Sequence, residues 1–171
     1  AGSGLQVATP VVPKAAAVAD LVDTEGLENI MLQSLSICLR LLIVNSPSIY
    51  HTAFATLRQV VQLLYDNVSQ VLEQVPEFTS PDANTNGFDK LPIEGKITYK
   101  LFYDLCLLAK QDSKTEWLQL SRMMPHVSQT ACLELIELIL KTHKRMFLTQ
   151  PFFEDLIQHH LGTILITQLR S

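Results

Sequence analysis

Apolar residues recur at three- and four-residue intervals along most of the chain, which predicts amphipathic helices and not strands. A first helix is expected over 26–44, "GLENIMLQSLSICLRLLIV". Thr24 would be its cap, Glu28 would favour its first turns, and Pro47 would stop it. A second should start at Ser48 or Ile49 and end near Pro76. Ala53, Leu57, Val60, Leu64, Val68, Val71 and Val75 line one side of it. Phe54, Val61, Tyr65 and Leu72 widen that side, so the helix should cover more than one neighbour.

The pattern breaks at "PEFTSPDANTNGFDKLPIEGK", residues 76–96, with three prolines, two glycines and several turn formers. The segment is expected to be a linker or long loop. Helical spacing resumes from Ile97 to about Lys110 on Leu101, Leu105 and Leu108, flanked by Phe102 and Cys106. "TEWLQLSRMMP" then reads as a short helix or turn stopped by Pro125. A helix capped by Ser128 should run through "SQTACLELIELILKTHKRMF". The last should start with Pro151 near its first position and Glu154 and Asp155 in its first turns, with Gly162 as a weak point. Residues 1–20 read as a flexible tail or an expression scar, with a weak helix beginning at Ala15. Stacked helix pairs of this kind make an all-α fold, an armadillo or HEAT-like solenoid.

Composition sharpens this picture. In 171 residues, 47% are apolar, enough for a sizeable core. Charged residues are 18%, below the roughly 25% of ordinary soluble domains, which points to surface covered by further protein. A net charge of -4 argues against nucleic acid as a partner. Cys38, Cys106 and Cys132 lie far apart in apolar runs and read as buried, reduced thiols of an intracellular protein. No apolar run reaches the length of a membrane span, and no signal peptide is visible.

Chemistry is sparse. The sequence holds no phosphate-binding glycine loop, zinc-protease motif, nucleophile elbow or calcium loop. His51, His126 and His143 stand apart, and His159 and His160, as helix neighbours, point about 100° apart, poorly placed to share a metal. Glu134 and Glu137 share a face and read as solvated. No catalytic residue, metal or cofactor is expected. The sequon at Asn67 lies inside a helix and carries no weight. Lys141, Lys144 and Arg145 form the one basic cluster, favoured by a helix C-terminus and a candidate anionic contact. Arg40 and Arg58 are isolated charges in apolar helices. Each meets a partner's acid, pairs internally with a carboxylate such as Asp66 or Asp104, or is simply solvated. Tyr50, Phe54, Tyr65, Phe78 and Phe88 are candidate binding anchors, with Phe54 expected in the core.

"HTAFATLRQVVQLLYDNV", residues 51–68, resembles a helix of the large Arf guanine-nucleotide exchange factors and their relatives, with Arg58 and Gln59 on its "RQ" pair. "LFYDLCLLA", the Trp117–Leu118 pair, "ACLELIELIL" and "MFLTQPFFEDLI" continue the resemblance in the same order, over about 27–171. It implies armadillo-like repeats in which 21–76 end a DCB (dimerisation and cyclophilin-binding) domain. Residues 77–96 would be the linker, and 97–171 would open the HUS (homology upstream of Sec7) region. The family's HUS box and its catalytic Sec7 domain are not found here, and the narrowest likeness is to a relative that lacks Sec7 altogether. The implied role is a non-catalytic scaffold in Golgi–endosome vesicle trafficking, on the cytoplasmic face of the trans-Golgi network and endosomes. Implied partners are an Arf or Arf-like GTPase, a Dopey-type protein and further copies of the scaffold, with peripheral membrane association through the full-length protein. Arg58, Gln59, Arg40 and Tyr50 are the candidate partner contacts. The alternatives are part of an active exchange factor and a homodimerisation domain.

Overall fold

In a computed structural model, residues 15–74, 87–111, 115–120 and 127–170 are described, and every regular element among them is helical. Helix α1 (Ala15–Leu41) and helix α2 (Pro47–Gln74) form an antiparallel pair, and α3 (Ile93–Ala109) and α4 (Gln129–Thr142) pack on the second of them. Short helices α5 (Lys144–Thr149) and α6 (Pro151–Asp155) follow. A π-helical turn, Leu156–Leu161, then leads into α7 (Gly162–Arg170). Helix packs on helix throughout, as in armadillo and HEAT solenoids.

The starts of several elements follow from their residues. Pro47 opens α2 instead of merely ending α1, since its fixed φ suits a first turn and its missing N–H costs nothing there. Ser128 caps α4 as expected, its Oγ accepting from the Ala131 N–H at 3.3 Å. Pro151 stands in the first turn of α6.

Three boundaries differ from the sequence pattern. Thr24 is not a cap, because α1 begins at Ala15 and runs through it; the alanines at 15–17 are strong helix formers. The C-terminal end of the expected 76–96 loop is structured. A 3-10 turn spans Gly87–Lys90, and α3 begins at Ile93 behind Pro92, with Glu94 in its first turn. Gly95 sits inside that helix, where an added Cβ would meet Pro92 and Leu91 at ordinary contact distances, so the fold tolerates glycine there without requiring it. The helix expected through Phe147 breaks at His143, whose φ and ψ of -118° and 31° separate α4 from α5. Residues 75–86, Phe78 among them, and His126 lie outside the described residues.

The core gathers the predicted faces. Leu35 and Leu39 of α1 meet Leu57, Val61, Leu64, Tyr65 and Val68 of α2, all buried. Tyr65 is fully buried and donates to the Thr98 carbonyl at 2.8 Å, bolting α2 to α3. It is a core residue and not a binding anchor. Phe54 is half-buried and packed against the core. Phe102 of α3, Phe147 of α5 and Phe153 of α6 close the opposite end of the core, with centroids 4.9 and 5.3 Å apart.

All three cysteines are free. Burial pushes the thiols of Cys106 and Cys132 up to about 12, and that of Cys38 upward. Cys106 and Cys132 should therefore react with a disulfide reagent at pH 8 on the order of 100-fold more slowly than unfolded thiols, with Cys38 fastest. Reaction timed with and without guanidinium checks this; equal rates for all three in the native protein would contradict the packing.

Candidate functional site

The segment 115–120 between α3 and α4 is neither helix nor strand, yet it is largely buried. Asp104 of α3, with no exposed surface, holds it. Its Oδ1 accepts from the Glu116 N–H at 3.0 Å, and its Oδ2 accepts from the Trp117 and Leu118 N–H groups at 2.9 and 2.6 Å. Burial raises the pKa of this carboxyl, and the three N–H groups act against that rise. Thr115 Oγ1 accepts from Leu120 N–H, and Ser36 of α1 donates to the Leu118 carbonyl. Trp117 donates its indole N–H to Glu28 at 3.0 Å, and Lys100 Nζ reaches the same Oε1 at 2.5 Å. Glu28 is thus a mid-helix anchor that ties α1 to α3 and the loop. Apart from the Thr115–Leu120 bond within the loop, these contacts join residues twelve to eighty-nine positions apart, a separation at which spacing gives no signal.

Beside this loop lies a cleft of about 290 Å³ lined by Phe88, Tyr99, Lys100, Tyr103, Asp104, Glu116 and Trp117. A second groove of similar volume, between α1, α2 and α3, is lined by Leu27, Met31, Leu64, Val71 and Ile97 with a rim of Asn67, Gln70 and Glu94.

The residues expected to touch partners divide among separate places. On α2, the Tyr50 ring stacks on Phe54 at 6.0 Å, and the Arg58 guanidinium lies 6.0 Å from the Phe54 centroid. This is a ladder at helical spacing, with Arg58 and Gln59 exposed. Arg40 is exposed on α1. Neither carboxylate proposed for internal pairing faces these arginines: Asp104 holds the loop, and Asp66 faces His143. On the other side, Lys141 pairs with Glu137 at 2.6 Å and Arg145 lies 3.8 Å from Glu73. Two of the three basic groups thus meet an acid nearby, and Lys144 is exposed. The basic cluster is a surface of exposed pairs of small individual worth.

His143 is not solitary. It is buried at the α4–α5 break, with Nδ1 3.0 Å from Ser69 Oγ and Nε2 3.4 Å from Asp66 Oδ1. Serine and imidazole are thus within hydrogen-bond reach, while Nε2 faces the Asp66 carboxylate without hydrogen-bonding to it, unlike the linked groups of a hydrolase triad. The space beside the ring, lined by Val61, Tyr65, Leu138 and Ile139, has no room for water, and Ser69 Oγ turns toward Met146 Sδ at 3.9 Å. No cavity opens beside the ring, and the trio joins α2 to the α4–α5 corner. Asp66 and Ser69 share a face of α2, but nothing in the spacing paired them with a residue over seventy positions on.

Burial lowers the His143 pKa, with Asp66 opposing. A histidine held neutral by the fold is protonated first in the unfolded chain, so stability is full above the usual value near 6.5 and falls as pH drops through it. His160, beside Tyr103 with ring centroids 4.7 Å apart, is lowered in the same direction by burial and then Lys110. Urea midpoints at pH 7.5 and 5.5 should therefore differ, with the lower pH less stable. His143→Gln should shrink the difference, leaving the part due to His160; an unchanged difference would show that His143 is not held neutral.

His159 and His160 diverge as their helical spacing predicts, the former meeting Asp155 Oδ1 at 2.8 Å. Among the described residues no three or more His, Cys, Asp or Glu side chains group as metal ligands, and no helix is long and apolar enough to cross a membrane. Large apolar side chains do remain exposed in one stripe on α1: Ile30 (63%), Ile37 (56%), Leu41 (38%) and, just beyond it, Val44 (43%).

An all-α stack whose buried polar groups tie its helices and loop together, and whose first helix exposes an apolar stripe, is built as helical-repeat proteins are. Residues 96–171 match the family described as the HUS domain of Mon2/Sec7/BIG1-like proteins. The chain is 28% identical over 141 residues to the human protein MON2 homolog and 29% identical to that of Drosophila melanogaster, in each case over 78% of this chain. It is 26% identical over 148 residues, 81% of the chain, to the MON2 homolog of Caenorhabditis briggsae. The resemblance to the large Arf exchange-factor relatives is shown by both comparisons. The chain spans 8–9% of the length of these relatives. No solved structure matches it.

Proposed function

We propose that the chain is a non-catalytic scaffold module of a large Arf-GEF-like protein acting in Golgi–endosome vesicle trafficking. The observation that carries this reading is the match of residues 96–171 to the HUS domain of Mon2/Sec7/BIG1-like proteins. The geometry agrees with it: the polar constellations of the described residues join helices, and the outer side of α1 presents apolar side chains to a further layer of protein. In this reading 21–76 close a DCB domain, 77–96 connect it onward and carry the start of α3, and 97–171 begin the HUS region. The module works on the cytoplasmic face of the trans-Golgi network and endosomes, brought there by the full-length protein.

Its partners are an Arf or Arf-like GTPase, a Dopey-type protein or another scaffold copy. The Tyr50–Phe54–Arg58 ladder with Gln59, and Arg40 on α1, are the contacts assigned to a protein partner. Lys144 and Arg145, with Lys141, are assigned to an anionic one. Capture of Arf-family GTPases from a purified panel, each loaded with GDP or a GTP analogue, tests this. Retention of a GTP-loaded form that weakens in Arg58→Glu is expected; no retention of any member would remove the GTPase from the account. Self-association is a second reading, favoured by the exposed α1 stripe. Sedimentation at about 10–100 µM, where weak interfaces populate dimers, decides it.

A further inference from the structure

We propose that the cleft walled by Phe88, Tyr99, Tyr103 and Trp117 and edged by Glu116 is a docking site for an arginine side chain of a partner protein. Four aromatic rings converge there from three places: the 3-10 turn, α3 and the buried loop. Phe88 and Tyr99 meet edge to face at 5.2 Å, which fixes their orientation. Phe88, Tyr99 and Tyr103 pack against the core and each keeps part of its surface exposed.

Charge selects the occupant. Lys100, the cation on the wall, is committed to Glu28 at 2.5 Å. Asp104 lies beneath the cleft and Glu116 is exposed on its edge, leaving an excess of negative charge. Burial first, and then Asp155, Tyr103 and Glu116, push the pKa of the Tyr99 phenol up. Aromatic faces under a negative potential attract cations. A guanidinium lies flat on a ring while its edge pairs with a carboxylate, which an ammonium does less well. The volume of about 290 Å³ is at or below the floor of small-molecule pockets and suits one long side chain. The assignment stands apart from the trafficking reading and does not require it.

Trp117 is the single tryptophan of the chain, so its indole N–H gives one resonance that reports the cleft directly. The 171-residue protein would be titrated with acetyl-Gly-Arg-Gly-amide and with its citrulline counterpart, which has the same shape and no charge. A saturable shift of the indole signal at about millimolar arginine peptide is expected, with citrulline weaker by about tenfold. Glu116→Gln, an exposed change that leaves the core intact, should weaken the arginine peptide several-fold and leave the citrulline peptide unaffected. Equal shifts with both peptides, no saturable shift with arginine, or an unaltered response in Glu116→Gln would each overturn the proposal. Phosphocholine binding more tightly than the arginine peptide would also overturn it, in favour of a lipid headgroup.

Discussion

Phe147→Ala is expected to lower the free energy of unfolding by about 3–5 kcal/mol, the largest effect of any single change considered for this chain. The ring is 1% exposed and sits where four elements converge. Its centroid lies 4.9 Å from Phe102 of α3, 5.3 Å from Phe153 of α6 and 6.4 Å from Tyr65 of α2. Truncation leaves a void that three rings, each fixed by other contacts, cannot close; Tyr65, for one, is held by its bond to the Thr98 carbonyl. Domains of this size have about 5–15 kcal/mol in total, so the variant should be marginal. Phe147→Leu keeps most of the volume and should lose only about 1–1.5 kcal/mol. Urea unfolding of both variants measures the pair. A loss below about 1 kcal/mol for the alanine variant would mean that α5 and α6 do not share a core with α2 and α3.

Asp104→Ala should cost about 3–4 kcal/mol by a different route. The carboxylate accepts three backbone N–H groups, and its removal leaves those donors, two of them buried, facing a methyl group. The loop can relax toward solvent and recover part of the loss, which keeps the cost below the sum of three orphaned donors. Asp104→Asn retains one acceptor oxygen but turns an NH2 toward a donor, so roughly half the loss is expected. Because Trp117 is the only tryptophan and is 9% exposed, release of the loop should also shift its fluorescence to the red. Stability loss without that shift would place the damage elsewhere in α3.

These two residues differ in how far the sequence announced them. Phe147 falls within one long expected helix and stands instead on α5, beyond a break, whereas the spacing marks Leu57, Leu64 and Leu101 as inward-facing and all three are buried. The three- and four-residue period, Pro151 at a first turn and Ser128 as a cap were enough to read an all-α stack. Asp104 looked like one more helix-surface acid, a candidate partner for an isolated arginine. Its real partners are N–H groups of a loop, present in every residue except proline and therefore silent in the sequence. In the sequence Glu28 reads as a first-turn charge; in the structure it is a tether to Trp117 and Lys100. His143 reads as solitary, yet it hydrogen-bonds to Ser69 at a helix break that periodicity does not show. Local order follows from local pattern, whereas polar contacts across the stack depend on which helices become neighbours.

The partner-contact residues show the same division. The spacing of Tyr50, Phe54 and Arg58 makes a ladder wherever the helix goes, and the structure contains it. The basic cluster needed Glu73, on another helix, before its charge balance could be judged.

The account holds that this chain recognises partners and performs no reaction on them. One titration puts that to the test: an Arf-family GTPase carrying a fluorescent nucleotide, with anisotropy and nucleotide release followed together as the chain is added. The account predicts that anisotropy rises for the GTP-analogue form while release keeps its intrinsic rate. Release accelerated in proportion to added chain would contradict it.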